Sequence, residues 1–389
     1  MYKIGKEEIQ ELEKLFATGK LFRDSSELKE VINFQIEWAE KIGTKYALTV
    51  TSGTAALICA LAGLGIGPGD EVIIPAHTFM ATATAVLVVG AIPVIAEIDE
   101  STTIDPADIE KKISKYTKAI IPVHMRGFPC DMERVLKIAK KHGLKVVEDA
   151  CQAVGGSYKG KRLGAWGDMG AFSFNFYKIL SCGEGGAVTS NDYEAFERSL
   201  IYHDGGSAWR TYTSELKTPI FVGTQLRFNE ICAAVMRIQL QRLEGILEDL
   251  RRNKRSLMSK VAGCKGFKFT PSYDSEGDCG TTMGLLFESE EKLRSFVKNG
   301  AVGLIGIDSG KHVYAKWDSL IEKKVGHHEK MNPYLMEANK DLNKDIKRDS
   351  CPRTLDILSR TIFIGIKPDW SESDIEREAA IIIQAAEKK

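Results

Sequence analysis

Lys178 stands in the run Ala171-Phe-Ser-Phe-Asn-Phe-Tyr-Lys-Ile-Leu-Ser-Cys-Gly-Glu-Gly-Gly186. Residues 170–174 before it are apolar and aromatic, and residues 186–190 after it are small and β-branched, so two buried strands are expected. The lysine falls in the glycine-rich connection between them. Strand ends are where α/β proteins build their sites. An unprotonated lysine amine attacks carbonyl carbons and forms Schiff bases, including with pyridoxal phosphate. Taken alone, the same lysine also fits a side chain that snorkels at a strand terminus. Three other segments bear on the choice.

In Thr51-Ser-Gly-Thr-Ala-Ala-Leu57 a β-prone run ends and an alanine-rich helix begins. Ser52, Gly53 and Thr54 open that helix, where free N–H groups and the positive dipole end attract an anion such as phosphate. The simpler role is an ordinary N-cap by Ser52 or Thr54. In Leu144-Lys-Val-Val-Glu-Asp-Ala-Cys-Gln152, Asp149 closes a buried strand. A carboxylate there can pair with a pyridine nitrogen and keep a cofactor ring an electron sink. Gln152 is spaced to reach the ring's phenolic oxygen. Asp149 as the cap of the next turn is the competing reading. In Ile74-Pro-Ala-His-Thr-Phe-Met-Ala-Thr82, Phe79 follows a strand and can stack on a flat ring, or can simply be core. His77 reads as a loop histidine.

These segments, in this order, resemble the DegT/StrS-type sugar aminotransferases. The motifs are Ser52-Gly-Thr-Ala-Ala-Leu57, Pro75-x-x-Thr-Phe79, Glu148-Asp-Ala-Cys-Gln152, Ser173-Phe-x-x-x-Lys178 and Gly183-Glu-Gly-Gly186. The resemblance runs from about Leu21 to the end and is densest from Lys45 to Ala234. It implies the fold type I pyridoxal phosphate-dependent transferase architecture. Lys178 would then carry the cofactor as a Schiff base and Asp149 would be the pyridinium partner. Gln152 would face the phenolic oxygen and Phe79 would stack on the ring, while Ser52, Gly53, Thr54 and Ser173 hold the phosphate. The segment Gly223-Thr-Gln-Leu-Arg-Phe-Asn229 also resembles the family, in which it reaches the neighbouring subunit's site. Gln225 stands where the family usually has Asn, so its contact with the partner's phosphate in a homodimer is expected through a longer arm. Arg227 either touches a ligand or orients the loop.

The expected chemistry is a ping-pong transfer. Glutamate or glutamine donates the amine, and a keto or aldehyde sugar accepts it, either nucleotide-linked or a free sugar acid such as an 8-oxo-octulosonate. The strings Glu148-Asp-Ala-Cys-Gln-Ala-Val-Gly-Gly-Ser-Tyr-Lys-Gly160 and Cys182-Gly-Glu-Gly-Gly-Ala187 look closest to the 8-amino-3,8-dideoxy-octulosonate branch. Some relatives are dehydratases in which histidine replaces the lysine, and Lys178 argues against that activity. Another fold type I enzyme and a non-enzymatic cofactor-binding regulator are the remaining alternatives.

The elements that must position these residues alternate along the chain. Strands are expected at 46–50, 71–75, 93–97, 119–124, 145–148, 170–174 and 186–190, with helices between the earlier ones. That is the pattern of a mostly parallel seven-stranded sheet covered on both faces. A helical pattern from 231 to about 257 links this large domain, residues 1–250, to a smaller C-terminal α+β domain, residues 251–389. Strands at 267–270, 284–287, 302–305 and 361–364 and helices at 290–299 and 371–387 are expected there. The stretch 308–352 is irregular and carries His312, Tyr314, Trp317, His327, His328 and Tyr334, a candidate substrate-facing segment. A histidine pair without companion ligands is a weak metal signal, and no metal is expected.

The chain has 389 residues, ample for a large core. Its 53 basic and 53 acidic residues give zero formal charge, so nothing pulls it toward nucleic acid or anionic membranes. Its eight cysteines are scattered, without C-x-x-C pairs, which suits a reducing cytoplasm. The charged N-terminus reads as a helix start and not as a signal peptide. The longest apolar stretch, 76–98, is broken by His, Thr, Gly and Pro and does not read as a membrane span.

Overall fold

The computed structural model describes residues 4–23, 25–207, 210, 212–343 and 345–388. Seven strands form the main sheet: β1 (Tyr46–Val50), β2 (Glu71–Pro75), β3 (Ile92–Ala96), β4 (Thr117–Ile120), β5 (Lys145–Asp149), β8 (Met169–Ser173) and β9 (Gly186–Ser190). A two-stranded hairpin, β6 (Ser157–Tyr158) and β7 (Lys161–Arg162), stands apart. The order is β1-β9-β8-β5-β4-β2-β3. All neighbours are parallel except where β9 pairs with β1 and β8.

Burial on both faces follows from the sequence. Val72 and Ile74 enter one apolar cluster while Ile73 enters a second, and Ala171 and Phe172 divide the same way. Alternate side chains of a strand point to opposite faces, so each cluster fills one side of the sheet. On one side Trp38 packs edge-on against Phe172 and Phe174, with ring centroids 5.0 Å apart in each case.

The expected strand 119–124 ends at Ile120. Ile121 N still donates to Ile73 O at 2.8 Å, but Pro122 has no N–H to continue the ladder. The expected single helix from 231 to 257 is two helices, Glu230–Gln241 and Leu243–Val261, with the break at Arg242. The second runs to a smaller antiparallel sheet of β10 (Phe267–Phe269), β11 (Thr282–Phe287), β12 (Leu304–Ile305) and β13 (Thr361–Gly365), ordered β10-β11-β13-β12. Leu250, Leu257 and Val261 join Leu285, Ile362 and Ile382 in its core.

The stretch 308–352 is a series of short helical turns. Tyr314, Trp317 and Tyr334 are buried in the core of the main sheet, which corrects the expectation that they face a substrate. Tyr314 Oη donates to Arg348 O at 2.9 Å, and Trp317 Nε1 donates to Lys311 O at 3.1 Å. Apolar burial outweighed the pull of a ligand that only composition suggested. Among the described residues no helix is long and apolar enough to cross a membrane, and no group of three or more His, Cys, Asp or Glu could hold a metal ion.

Candidate active site

Register brings the phosphate-cradle candidates together. Val50 pairs with Gly186, and Gly186 pairs with Ser173, so three strand ends lie in one row. Helix Gly53–Gly63 starts immediately after this row. Ser52 is extended, and its Oγ accepts from Ala55 N at 3.1 Å, the N-cap bond. The first-turn N–H groups have no intrahelical partner by construction. Gly53 and Thr54 both line a cavity of about 540 Å³ with Ser52 and Ser173. Any side chain at Gly53 would collide, because a Cβ there would lie 2.7 Å from Ser173 Cβ and 2.9 Å from Cys151 Sγ. A Cβ at Gly186 would lie 2.4 Å from Ser52 O, so glycine lets this turn rest on β9.

Asp149 ends β5, buried, with its side chain on the same cavity. Thr82 Oγ1 donates to Oδ2 at 2.9 Å, and Thr82 in turn lies 2.7 Å from Thr78 Oγ1. Cys151 N donates to Oδ1 at 3.2 Å. The turn-capping bond weighed in the sequence therefore exists, and it coexists with a carboxylate held at the cavity wall. Gln152 Oε1 accepts from Arg126 N at 3.2 Å, which leaves the amide NH₂ as the donor for the cavity. Phe79 stands on the wall, 41% exposed as a residue.

Lys178 lies between β8 and β9 on the cavity wall. The loop that carries it is tied at its base: Phe174 N donates to Gly185 O at 2.8 Å and Phe176 N to Gly183 O at 2.9 Å. Ser181 Oγ donates to Phe174 O at 3.0 Å. The structure thus gathers Ser52, Gly53, Thr54, Phe79, Asp149, Gln152, Ser173 and Lys178 on one cavity. Gln225 is not among the residues lining it. It is exposed on a bridge to Asp204, with Oε1 accepting from Arg227 N at 3.2 Å. Arg227 pairs with Asp204 and lies over the Phe22 ring, 5.1 Å from its centroid, so within this chain it orients the loop.

Sequence reasoning missed Arg126, Lys311, Thr281 and Thr282, which complete the wall with His312. Arg126 follows the end of β4, the same strand-end signal that marked Asp149. His312, expected with the rest of 308–352 to face a substrate, lines the cavity. Burial and the Arg126 and Lys311 charges hold His312 down at about 3, so it is neutral at pH 7. His77 is fully buried, its Nδ1 lies 3.0 Å from Thr102 O, and burial with the Arg126 charge holds it at about 3 as well.

A carbonyl-reactive amine, a fixed carboxylate, an exposed aromatic residue and a helix-start anion cradle on one cavity make up the donor set of a pyridoxal phosphate site. Gly53 lets the helix start rest directly against Ser173 and Cys151 at that cavity. A sequence model described as the DegT/DnrJ/EryC1/StrS aminotransferase family matches residues 2–305. The chain is 33% identical over 386 residues to the spore coat polysaccharide biosynthesis protein SpsC of Bacillus subtilis, covering 96% of this chain and 92% of that protein. Over 218 residues it is 46% identical to the dTDP-3-amino-3,4,6-trideoxy-alpha-D-glucose transaminase of Streptomyces venezuelae, spanning 56% of each. The crystal structure of S. venezuelae DesV in complex with a ketimine intermediate superposes with a TM-score of 0.79 at 31% identity. That match covers 98% of this chain and 95% of DesV.

Proposed function

Because the chain belongs to the DegT/DnrJ/EryC1/StrS aminotransferase family, we propose that it moves the amino group of glutamate or glutamine onto a nucleotide-linked keto sugar. Its class is that of a pyridoxal phosphate-dependent sugar aminotransferase. The observation that carries the assignment of residues is the single cavity shared by Lys178, Asp149 and the start of helix Gly53–Gly63. The nucleotide-linked acceptor is supported by the transaminase relative from S. venezuelae, named for a dTDP sugar, although the match spans only 56% of it.

Bound there, pyridoxal phosphate supplies an electron sink for the carbanion left when a proton leaves the substrate carbon. Lys178 would hold the cofactor covalently through Nζ. Released from that bond, Nζ would be the group placed to take and return that proton. Asp149, fixed by Thr82 Oγ1 and Cys151 N, would pair with the pyridine nitrogen. Gln152 would donate its amide to the phenolic oxygen, and Phe79 would cover one ring face. Ser52, Gly53, Thr54 and Ser173 would give the phosphate hydroxyl and N–H donors.

We assign the enzyme to a homodimer with shared sites. The support is that Gln225 is exposed away from its own cavity, and that Phe176 and Tyr177 beside Lys178 are 61% and 73% exposed. The eight cysteines are all free thiols, which supports a cytoplasmic setting. A free sugar acid is the second reading of the acceptor, favoured by the unpaired Arg126 described below. Borohydride reduction followed by peptide mapping tests the core assignment. A label on Lys178 is expected, and a label on another lysine or on none refutes it. Offering nucleotide-linked keto sugars, sugar acids and simple 2-keto acids to the amine form then identifies the acceptor. Reaction with simple keto acids alone would make it an amino-acid aminotransferase.

A further inference from the structure

Arg126 is an arginine without an acid. It lines the active-site cavity, yet its Nε and Nη2 are closed off from solvent and have no hydrogen-bond partner among the described residues. No carboxylate among those residues forms an ion pair with it. Burial is the sole cause drawing its guanidinium down, to about 10, so it stays charged at neutral pH. A shielded, unpaired charge is costly in free energy and is kept where something pairs it.

The fold goes out of its way to aim this side chain. Arg126 adopts the left-handed conformation, φ 55° and ψ 23°, which is unfavourable for a residue with a side chain. Two bonds from cavity-lining residues hold it there. Arg126 N donates to Gln152 Oε1 at 3.2 Å, and Thr281 Oγ1 donates to Arg126 O at 2.8 Å. The guanidinium stacks on Phe363 with Cζ 4.2 Å from the ring centroid. A guanidinium cation held on the cavity wall is the group that takes a carboxylate through charge-assisted hydrogen bonds. Beside it His312 Nδ1 is likewise buried without a partner, and Lys311 adds a second cation.

The cofactor phosphate already has hydroxyl and N–H donors assigned to it at the start of helix Gly53–Gly63. Its cradle lies at the ends of β1, β9 and β8, whereas Arg126 follows β4, two strands beyond β8. Every amino donor, by contrast, brings a carboxylate next to the reacting carbon.

We propose that Arg126 is the carboxylate-binding group of the substrate site, with the ligand a planar carboxylate supplied by the amino donor or by an acidic sugar acceptor. This rests on the aminotransferase reading for its substrates, but its first test does not require turnover. Glutarate has carboxylates and no amine. Calorimetric titration of the holoenzyme with glutarate is expected to show binding that Arg126→Gln weakens roughly 10- to 100-fold, the range for charge-assisted hydrogen bonds. Arg126→Lys keeps the charge but not the fork and should fall between, and it serves if the first variant folds poorly.

In the donor half-reaction, the glutamate concentration giving half-maximal rate should rise by the same factor, with the limiting rate within threefold. An equal loss with alanine assigns the α-carboxylate, and a loss confined to glutamate assigns the distal one. A loss seen only when the amine form meets an acidic sugar, with a neutral keto sugar unaffected, assigns the acceptor's carboxylate. Unchanged saturation by glutarate, glutamate and acidic sugars overturns the proposal, as does an equal loss with a neutral keto sugar. Wild-type protein that binds glutarate through Arg126 but moves no amine would sink the aminotransferase reading and leave this one standing.

Discussion

Thr82→Val is the most direct probe of how the active-site acid is held. Thr82 is fully buried, and its hydroxyl donates to Asp149 Oδ2 at 2.9 Å. Valine has nearly the same shape, so no cavity opens, but the donor is gone. Thr78 Oγ1 loses its neighbour at 2.7 Å as well and keeps a weak bond to Phe79 O at 3.4 Å. A hydrogen bond to a charged group contributes about 1.5–3 kcal/mol, and each 1.4 kcal/mol is about tenfold. Asp149 retains the bond from Cys151 N, so the lower end applies and a loss of roughly tenfold is expected. Stopped-flow measurement of the glutamate half-reaction, read from the cofactor absorbance, should place that loss in the limiting rate. In an Asp149→Ala background the same change should cost less than threefold, because residues that act through one another are not additive. A Thr82→Val enzyme within twofold of wild type would show that Asp149 needs no such support. An undiminished loss in the Asp149→Ala background would show that Thr82 acts elsewhere.

Asp149→Asn should fold and bind cofactor yet lose most turnover, and a wild-type rate would reduce Asp149 to a turn cap. His77 is buried neutral, with its folded value near 3 against about 6.5 unfolded. Its contribution to stability is therefore complete above about pH 6.5 and is lost as pH falls toward 3. Urea unfolding at pH 7 and pH 5 should show wild type losing about 2 kcal/mol more than His77→Phe, from ~1.4 kcal/mol per pH unit; equal losses would mean that His77 takes up its proton in the fold. Mixing Lys178→Ala with a crippled Gln225 variant should restore part of the activity in mixed dimers, whereas a fully active monomer would exclude shared sites.

The parts of this site that could be read from the sequence are those whose signals are local. Lys178, Asp149 and Ser52 each sit where a strand ends, and the punctuation around them is short-range. The seven strands of the main sheet were legible because apolar runs of that length leave few other options. Arg126 escaped notice because its meaning depends on Phe363, Thr281 and Gln152, residues far apart in the chain. Tyr314, Trp317 and Tyr334 were placed toward a ligand because a series of short turns has no period to say which way a side chain faces. The break at Arg242 was hidden because both helices continue one amphipathic pattern across it.

The bonds that close the base of the Lys178 loop fix the backbone from Phe174 to Gly185 while the side chain above it stays long and unbranched. Lys178 thus resembles a reagent on a short leash. In the proposed role its amine would leave one bonding partner and meet the next by rotating methylenes alone, without any rearrangement of the chain. An amine so tethered would not dilute into solvent between encounters, and its effective concentration at a reacting carbon would be set by the length of the leash and not by the medium. Lengthening or loosening the clamp, rather than altering the amine, would therefore be the way to make this protein slow without making it chemically incompetent.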